Sequence, residues 1–500
     1  MSLNARLLAT AATATLVAAG PAAADLTAND VWSSWQKTMT EMGQTVDVAS
    51  VSQTGERLTL DGVTVSMLSP DADFTVLVDQ IVLAEETDGT VAISVSPEYA
   101  LKLSTLSVDG DDVEVDMTLS NEGLELTASG DPDAISYAYA VRRLALNLDS
   151  ATEDGEPLDM TISVGFDTVT GTYDVTAGDP QNVASILNAA AVAATIDVNE
   201  PEEEVDFTMA FSMEGFSTSS SGTMSPFAGA QTLPALLRSG MSSEGTATYG
   251  PSRYNIDTVT PDGQVVVQGS AGSGAFDVRL NEDGMRYSVG NTDVAINLTA
   301  PGALVPPIDF NVARSQVEFE MPLISSDDPK PLGMKLELDG LVLGDAVWSM
   351  IDPTGGLPRD PASLLVDLSG MGNWFIDVAD PEAFATLEGS GALPGQLDNV
   401  DINTVELSVA GADLTGSGAF SFNNETLPPA PSGQVDLQLV GSNALIDNLV
   451  GIGLIPQDQA MAARMMLGLF ARPGEGEDTL VSTIEVREDG AVLANGQRIR

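Results

Sequence analysis

Two of the residue types that most often carry chemistry are missing from this chain. Its 500 residues contain no histidine and no cysteine. That excludes Ser-His-Asp triads, histidine general bases, thiol nucleophiles, iron–sulfur clusters and the commonest zinc ligands. No G-x-S-x-G elbow, phosphate loop or G-x-G-x-x-G turn occurs. Ser34-Trp35-Gln36-Lys37 matches the S-x-x-K pattern of some acyl enzymes, but the S-D-N and K-T-G elements that would complete such a site are absent. Lys37 is therefore read as a solvent-facing helix residue. Paired carboxylates can hydrolyse glycosides. With 73 acidic residues close pairs are unavoidable, however, and only 5% of residues are aromatic, too few to suggest a sugar-stacking cleft. Asp109-Gly110-Asp111-Asp112 and Asn281-Glu282-Asp283-Gly284 are acidic turns to check for calcium. Neither fits a helix-flanked calcium loop, and Asp, Asn and Gly belong in hairpin turns anyway. The sequence predicts no catalytic residue, no cofactor and no metal site.

The elements that would position any site are mostly strands. Thr27 and Asp30 predict a capped helix with Val31, Trp32, Trp35, Met39 and Met42 at helical spacing, packed against a sheet and stopped at Gly43. Beyond it the period becomes two. Leu58, Leu60, Val63, Val65 and Met67 alternate with polar residues, and the parity shifts across Asp61-Gly62, which is read as a tight hairpin or a bulge. Val76, Val78, Ile81 and Leu83 shift likewise. Similar runs follow to the C-terminus, ending in a hairpin over Val492 to Ile499. Few segments look helical. The Ala-rich stretch Val183 to Thr195 is helix-compatible, Asp345 is read as the cap of a short helix containing Val347, Trp348 and Ile351, and two helices are predicted over Asn443 to Val450 and Gln457 to Phe470. Met461, Met465, Met466 and Leu469 on the last of these are read as core filler. The fold class is mainly β with a few short helices: large, twisted antiparallel sheets in an elongated arrangement, either a curved open sheet or a sandwich.

The first 24 residues have the order of a secretory signal. Arg6 precedes an apolar run from Leu7 to Gly20, and Pro21 precedes Ala22-Ala23-Ala24, with cleavage expected after Ala24. This places the mature chain in the periplasm or elsewhere outside the cytoplasm. Ser217 to Ser221 with Gly222, then Pro226, Gly229 and Pro234, read as a linker. The expected organisation is a signal over 1–24, a β-rich region with a leading helix over 25–225, and a second β-rich region over 226–500 with a helical patch at 442–471. No later stretch reads as a membrane span. Gly441 to Ala471, the most apolar, is interrupted by Asp447, Pro456, Asp458 and Arg464.

The formal net charge is −54. Such a field repels nucleic acid and anionic lipid headgroups, and suits a basic protein partner or a neutral ligand.

Gly55-x-x-Leu58-x-Leu60-x-Gly62-Val63 after the first helix, Ser432-Gly433-Gln434-Val435-Asp436-Leu437, Leu445 to Leu454, and Asp489-Gly490-x-Val492-x-x-Asn495-Gly496 together resemble the bacterial envelope family known as domain of unknown function 2125. The resemblance implies export and assigns no activity, so no functional residue carries over from it. The layout is also distantly similar to AsmA-type β-rich envelope proteins, whose hydrophobic grooves are associated with lipid handling. They carry an anchor where this chain has a cleavable signal.

The expectation is a noncatalytic envelope protein, a scaffold for an apolar ligand such as lipid. An acidic module that meets a basic envelope protein and a carboxylate-based hydrolase are the alternatives. The candidate groove is the apolar face of Leu58, Leu60, Val63, Val65, Val76 and Val78, expected to be incompletely covered because helices are few. Protein purified from an envelope fraction should have a mass that begins at Asp25. An intact Met1 in that material would contradict export.

Overall fold

The computed structural model describes residues 26–500 except 69–71, 108–109, 202–203, 225–231, 303–305, 381–382, 384, 386, 388–392 and 427. The signal segment with Ala24, Asp109 of the first acidic turn and the expected boundary at 225/226 lie outside the described residues.

All described strands join one antiparallel sheet. Its topology is a meander. Thr45–Thr54 pairs with Arg57–Leu68, which pairs with Ala72–Glu85. Val91–Val95 and Glu98–Leu106 together form the next rung. Long strands follow, among them Ala134–Glu153, Met160–Thr176, Gln181–Glu200 and Val205–Met224. The run ends at Thr479–Val486, Val492–Ala494 and Gln497–Arg498. Tight turns join many neighbours. At Asn495-Gly496 both residues have positive φ (51° and 81°), as at Asp154-Gly155 (48° and 80°). Two-residue turns of this kind match the twist of the strands they link.

The alternation predicted from sequence is present, but Asp61-Gly62 is neither a hairpin nor a bulge. The pairings Ser50↔Asp61 and Val48↔Val63 keep one register, as do Asp61↔Gln80 and Val63↔Val78. No residue is inserted. Gly62 instead adopts φ +62°, and the inward parity reverses there. Leu58 and Leu60 on one side, and Val63 on the other, then bury in one cluster. A side chain at Gly62 would also collide with the Ala49 Cβ at 2.9 Å. Thr168, Asp293 and Gly340 are mid-strand residues that repeat this positive φ.

Two further expectations are corrected. Val183 to Thr195 is not helical and lies within strand Gln181–Glu200. Alanine is the best helix former, but propensity is worth well under about 1 kcal/mol per residue, and here both neighbouring strands offer nearly complete ladders, which outweigh it. Ser217 to Gly222 is not a linker but the end of strand Val205–Met224. Its hydroxyls bond across the sheet, Ser220 with Ser185 at 2.8 Å and Ser217 with Asn188 at 2.7 Å.

Helices are few. α1 (Ala28–Glu41) has the expected capping box between Thr27 and Asp30. α2 (Leu233–Arg238) went unpredicted. α3 spans Asp345–Ile351, with Gly344 in the cap position, so Asp345 is its first residue and not its cap. α4 (Ser442–Gly451) and α5 (Gln457–Phe470) lie where expected.

The principal core sits under α1. Leu26, Ala28, Val31 and Trp32 pack on Leu58, Leu60, Leu83 and Ile93, and Trp35 and Tyr137 stack with ring centroids 6.1 Å apart. Leu60 is fully buried and Met334 is 44% exposed. Leu60→Ala should therefore cost about 2–5 kcal/mol, while Met334→Ala should cost below about 1 kcal/mol. Denaturant midpoints of the two variants check this contrast.

Candidate functional site

The proposed groove strip is closed. Leu58, Leu60, Val63 and Val78 are buried, and Val65 and Val76 pack partly buried against the same cluster. α1 supplies the cover, because its two tryptophans lie against this face. The S-x-x-K lysine, Lys37, is on the outer side of that helix, 3.8 Å from Glu41.

An uncovered apolar face exists further along the sheet. The pairings Tyr287↔Phe319, Phe319↔Met334, Met334↔Leu368, Leu368↔Ile402, Ile402↔Gly418, Gly418↔Val435 and Val435↔Ile484 set one residue from each of eight strands in a row. A parallel row holds Val289, Val317, Leu336, Val366 and Val405. Alternation sends the intervening residues to the other face, where Ser288, Glu318, Lys335, Asp367 and Thr404 form a polar row. None of the apolar residues in the two rows is buried. Phe319 is 37% exposed and Val317 42%.

The strip deepens at one end. A hollow of about 240 Å³ is floored by Phe319, Met334, Leu368 and Val400. It shares Leu332, Trp374 and Leu397 with a second hollow of about 500 Å³, walled also by Pro322, Leu393 and Phe422. These sizes suit a small apolar ligand. Trp374 is fixed by its Nε1, which donates to the Pro322 carbonyl at 2.9 Å.

An ion pair holds the adjoining wall. Arg238 of α2 grips both carboxylate oxygens of Asp377, at 2.9 and 2.5 Å. Ser325 donates to Asp377 through its backbone N–H and its hydroxyl, each at 2.9 Å. The Arg238 guanidinium, helped by Ser325 and opposed by burial, holds Asp377 down to about 2. Just after α3, Asp352 is fully enclosed, and the N–H groups of Leu357 and Gly356 keep its carboxyl below the usual range.

Residues 253–499 match a family described as uncharacterized protein conserved in bacteria, domain of unknown function 2125. The resemblance is thus shown over the C-terminal half. The matched span contains the whole eight-strand row and both hollows. α1 and Gly55 to Val63, which also suggested the family, lie before it. No curated protein matches the chain.

The acidic turn at Asn281 to Gly284 is explained without a metal. The Asp283 N–H bonds the Asn281 side chain, the turn closes the pair Asn281↔Gly284, and Lys330 meets Asp283 at 2.5 Å. The hollow of about 530 Å³ that holds Glu406 and Asp436 is lined by no aromatic side chain, so it lends the hydrolase reading no support. Among the described residues, no helix is long and apolar enough to cross a membrane. α5 departs from expectation: Met461, Met465, Met466 and Leu469 are 54–72% exposed rather than core. The helix is held instead by polar contacts. Arg464 meets Asp447 at 2.6 Å, and the Phe470 carbonyl accepts from Ser482 and Asn495.

Sequence reasoning missed Trp374 and Leu397. The strand patterns flanking them were visible, but nothing in them marked a hollow.

Because Asp377 titrates lower folded than unfolded, the Arg238 pair stabilises fully above the ordinary aspartate value near 3.8 and less as pH falls toward 2. Arg238→Ala should lower the melting temperature at pH 7, a loss on the order of 1 kcal/mol for a partly exposed pair. The gap to wild type should narrow below about pH 4. A pH-independent gap would assign the loss to packing alone.

Proposed function

We propose that this chain is a noncatalytic envelope protein, exported after cleavage at Ala24, that holds an apolar ligand such as a lipid acyl chain along the uncovered face of its sheet. The observation that carries this reading is the row from Tyr287 to Ile484. It is apolar except where glycine replaces a side chain, it is continuous over eight strands, and none of its apolar residues is buried. Contiguous exposed apolar surface of this kind marks a binding site more often than it marks an idle surface. The net charge of −54 sets the ligand's character, since an anionic headgroup would be repelled.

A second reading, a protein-interaction module, is favoured by the exposed α5 stripe of Met461, Met465 and Leu469. Methionine-rich surfaces adapt to varied partners.

Gently purified protein, examined by native mass spectrometry and solvent extraction, should carry a co-purifying lipid. Leu368→Asp should abolish loading while the melting temperature stays near wild type, because Leu368 lies on an open face. Val78→Asp, in the closed core, should unfold the N-terminal region. If Leu368→Asp unfolds the chain and wild type carries no lipid, the open face is structural and the acyl-chain reading fails.

A further inference from the structure

The two ends of the sheet are unlike. The C-terminal end is broken into short strands, Arg472–Pro473, Val492–Ala494 and Gln497–Arg498, and carries a proline and two arginines. Short strands, proline and basic side chains keep a sheet edge from pairing with other chains. The first edge has none of these. Strand Thr45–Thr54 runs ten residues and, among the described strands, pairs only with Arg57–Leu68. It holds no proline, glycine, lysine or arginine, and its one charge is Asp47. All its residues but Val46 and Val48 are exposed, Val51 at 59%.

The order of faces along this strand is symmetric. Directly opposed residues on neighbouring strands share a face. Val46, Val48, Val51 and Gln53 oppose Val65, Val63, Leu60 and Leu58, on the core side. Thr45, Asp47, Ser52 and Thr54 oppose residues of the other side. The reversal at Gly62 is thus repeated here, beside Ala49 and Ser50, and the faces read alike from either end. A regularly alternating strand of ten residues lacks this property, because its first and last residues lie on opposite faces. We infer that Thr45–Thr54 is a dimerisation edge, which pairs antiparallel with the same strand of a second copy about a two-fold axis, Asp47 opposite Ser52 and Val48 opposite Val51. Such an isologous contact uses one patch twice. Thr45 then opposes Thr54 and Val46 opposes Gln53, and each pair shares a face. Sliding one copy by a single residue would set Val48 against Ser50 and Val46 against Ser52, on opposite faces, so the register is specified. Asp47 would meet a hydroxyl, the answer this sheet already gives its carboxylates at Ser50–Asp61 (3.2 Å) and Ser408–Asp413 (2.6 Å). A second copy is favoured over a foreign strand because the match is to the strand's own order of faces. The proposal does not depend on the acyl-chain reading, since this edge lies many strands before the row from Tyr287 to Ile484.

Sedimentation velocity of the chain purified from an envelope fraction should show a mass near twice that of the monomer. The dimer fraction should rise between about 0.01 M and about 0.1 M sodium chloride, because the Debye length falls from about 30 Å to about 10 Å and screens the general repulsion between copies. Val51→Lys sets a cation against Val48 of the second copy and should give a monomer over the same range, with a melting temperature near wild type because Val51 is exposed. That substitution lowers the net negative charge, so added repulsion cannot account for the loss. The chain has no cysteine, so the register can be read by cross-linking. Asp47→Cys chains mixed with Ser52→Cys chains and oxidised with copper phenanthroline should join as unlike pairs, since directly opposed residues lie within disulfide reach. Either variant alone should stay unlinked, its two thiols being five residues, about 17 Å, apart along the strands.

A wild-type chain that stays monomeric across that salt range overturns the proposal, and this arm needs no variant. A dimer that Val51→Lys leaves intact lies elsewhere on the molecule and overturns it as well. So does a dimer that dissociates as salt rises, because ion pairs would hold it and this edge offers none. Should Val51→Lys unfold the chain, the cysteine variants decide. Linking of either variant with itself, or no linking of the mixture, overturns the symmetric pairing.

Discussion

The structure depends on one constraint: an alternating strand makes two unlike faces, and the apolar one must be covered or used. Among the described residues twenty-seven strands share one sheet, and none forms a second sheet that could cover the first. A sandwich solves the problem by placing two such faces together. This chain solves it locally, with a single tryptophan-bearing helix over the first few strands. Beyond that helix a smaller buried cluster of Val141, Val169, Ala189 and Val192 adds cohesion, and much of the rest comes from the ladder itself. Long strands such as Gln181–Glu200 are paired along almost their whole length on both sides. Each cross-strand pair adds only about 0.2–1 kcal/mol, but the meander supplies many in succession.

The other face solves the complementary problem of excess acid. Its carboxylates are answered largely by neutral donors on adjacent strands. Thr118 donates to Asp149 at 2.6 Å, Ser363 to Asp339 at 2.7 Å, and Asn403 to Asp367 at 2.9 Å. A chain with 19 basic residues against 73 acidic ones cannot form enough ion pairs, and hydroxyls and amides take their place. The uncompensated charge has a structural use. A long sheet with open edges is prone to pair with its copies, and like charge discourages that approach.

How far the sequence could be read follows from what each signal reports. Thr27 and Asp30 announced α1 because capping is a local interaction, and the alternation around Leu60 or Met334 announced strands because pleating is local too. Both features are present. Val183 to Thr195 misled because helix propensity is weak beside two full ladders. Gly62 misled because a parity shift looks the same whether a residue is inserted or a mid-strand residue turns to positive φ. The candidate groove was misplaced for a deeper reason. Val78 and Met334 sit in equally regular alternating runs, yet one lies beneath a helix and the other beneath nothing described. Which face is covered is a long-range fact, and the period of a strand does not encode it.

α1 and α5 make that distinction concrete. Each has fourteen residues, and each presents apolar side chains at helical spacing. α1 turns Val31 and Trp32 into the sheet and is stabilised by burial. α5 is tethered by charge and by carbonyl contacts at its C-terminal end, with its methionines outward. Ser482, which takes the Phe470 carbonyl, pairs with Leu437, and Leu437 pairs with Gly416. Gly416 pairs in turn with Val405 of the second apolar row. The tether of α5 therefore stands at the far end of the same open strip. One end of the apolar face carries a helix that closes it. The other carries a helix that leaves it open and adds apolar surface of its own. Packing within the chain explains the first arrangement. The second is held by polar contacts alone among the described residues, with its apolar stripe left exposed.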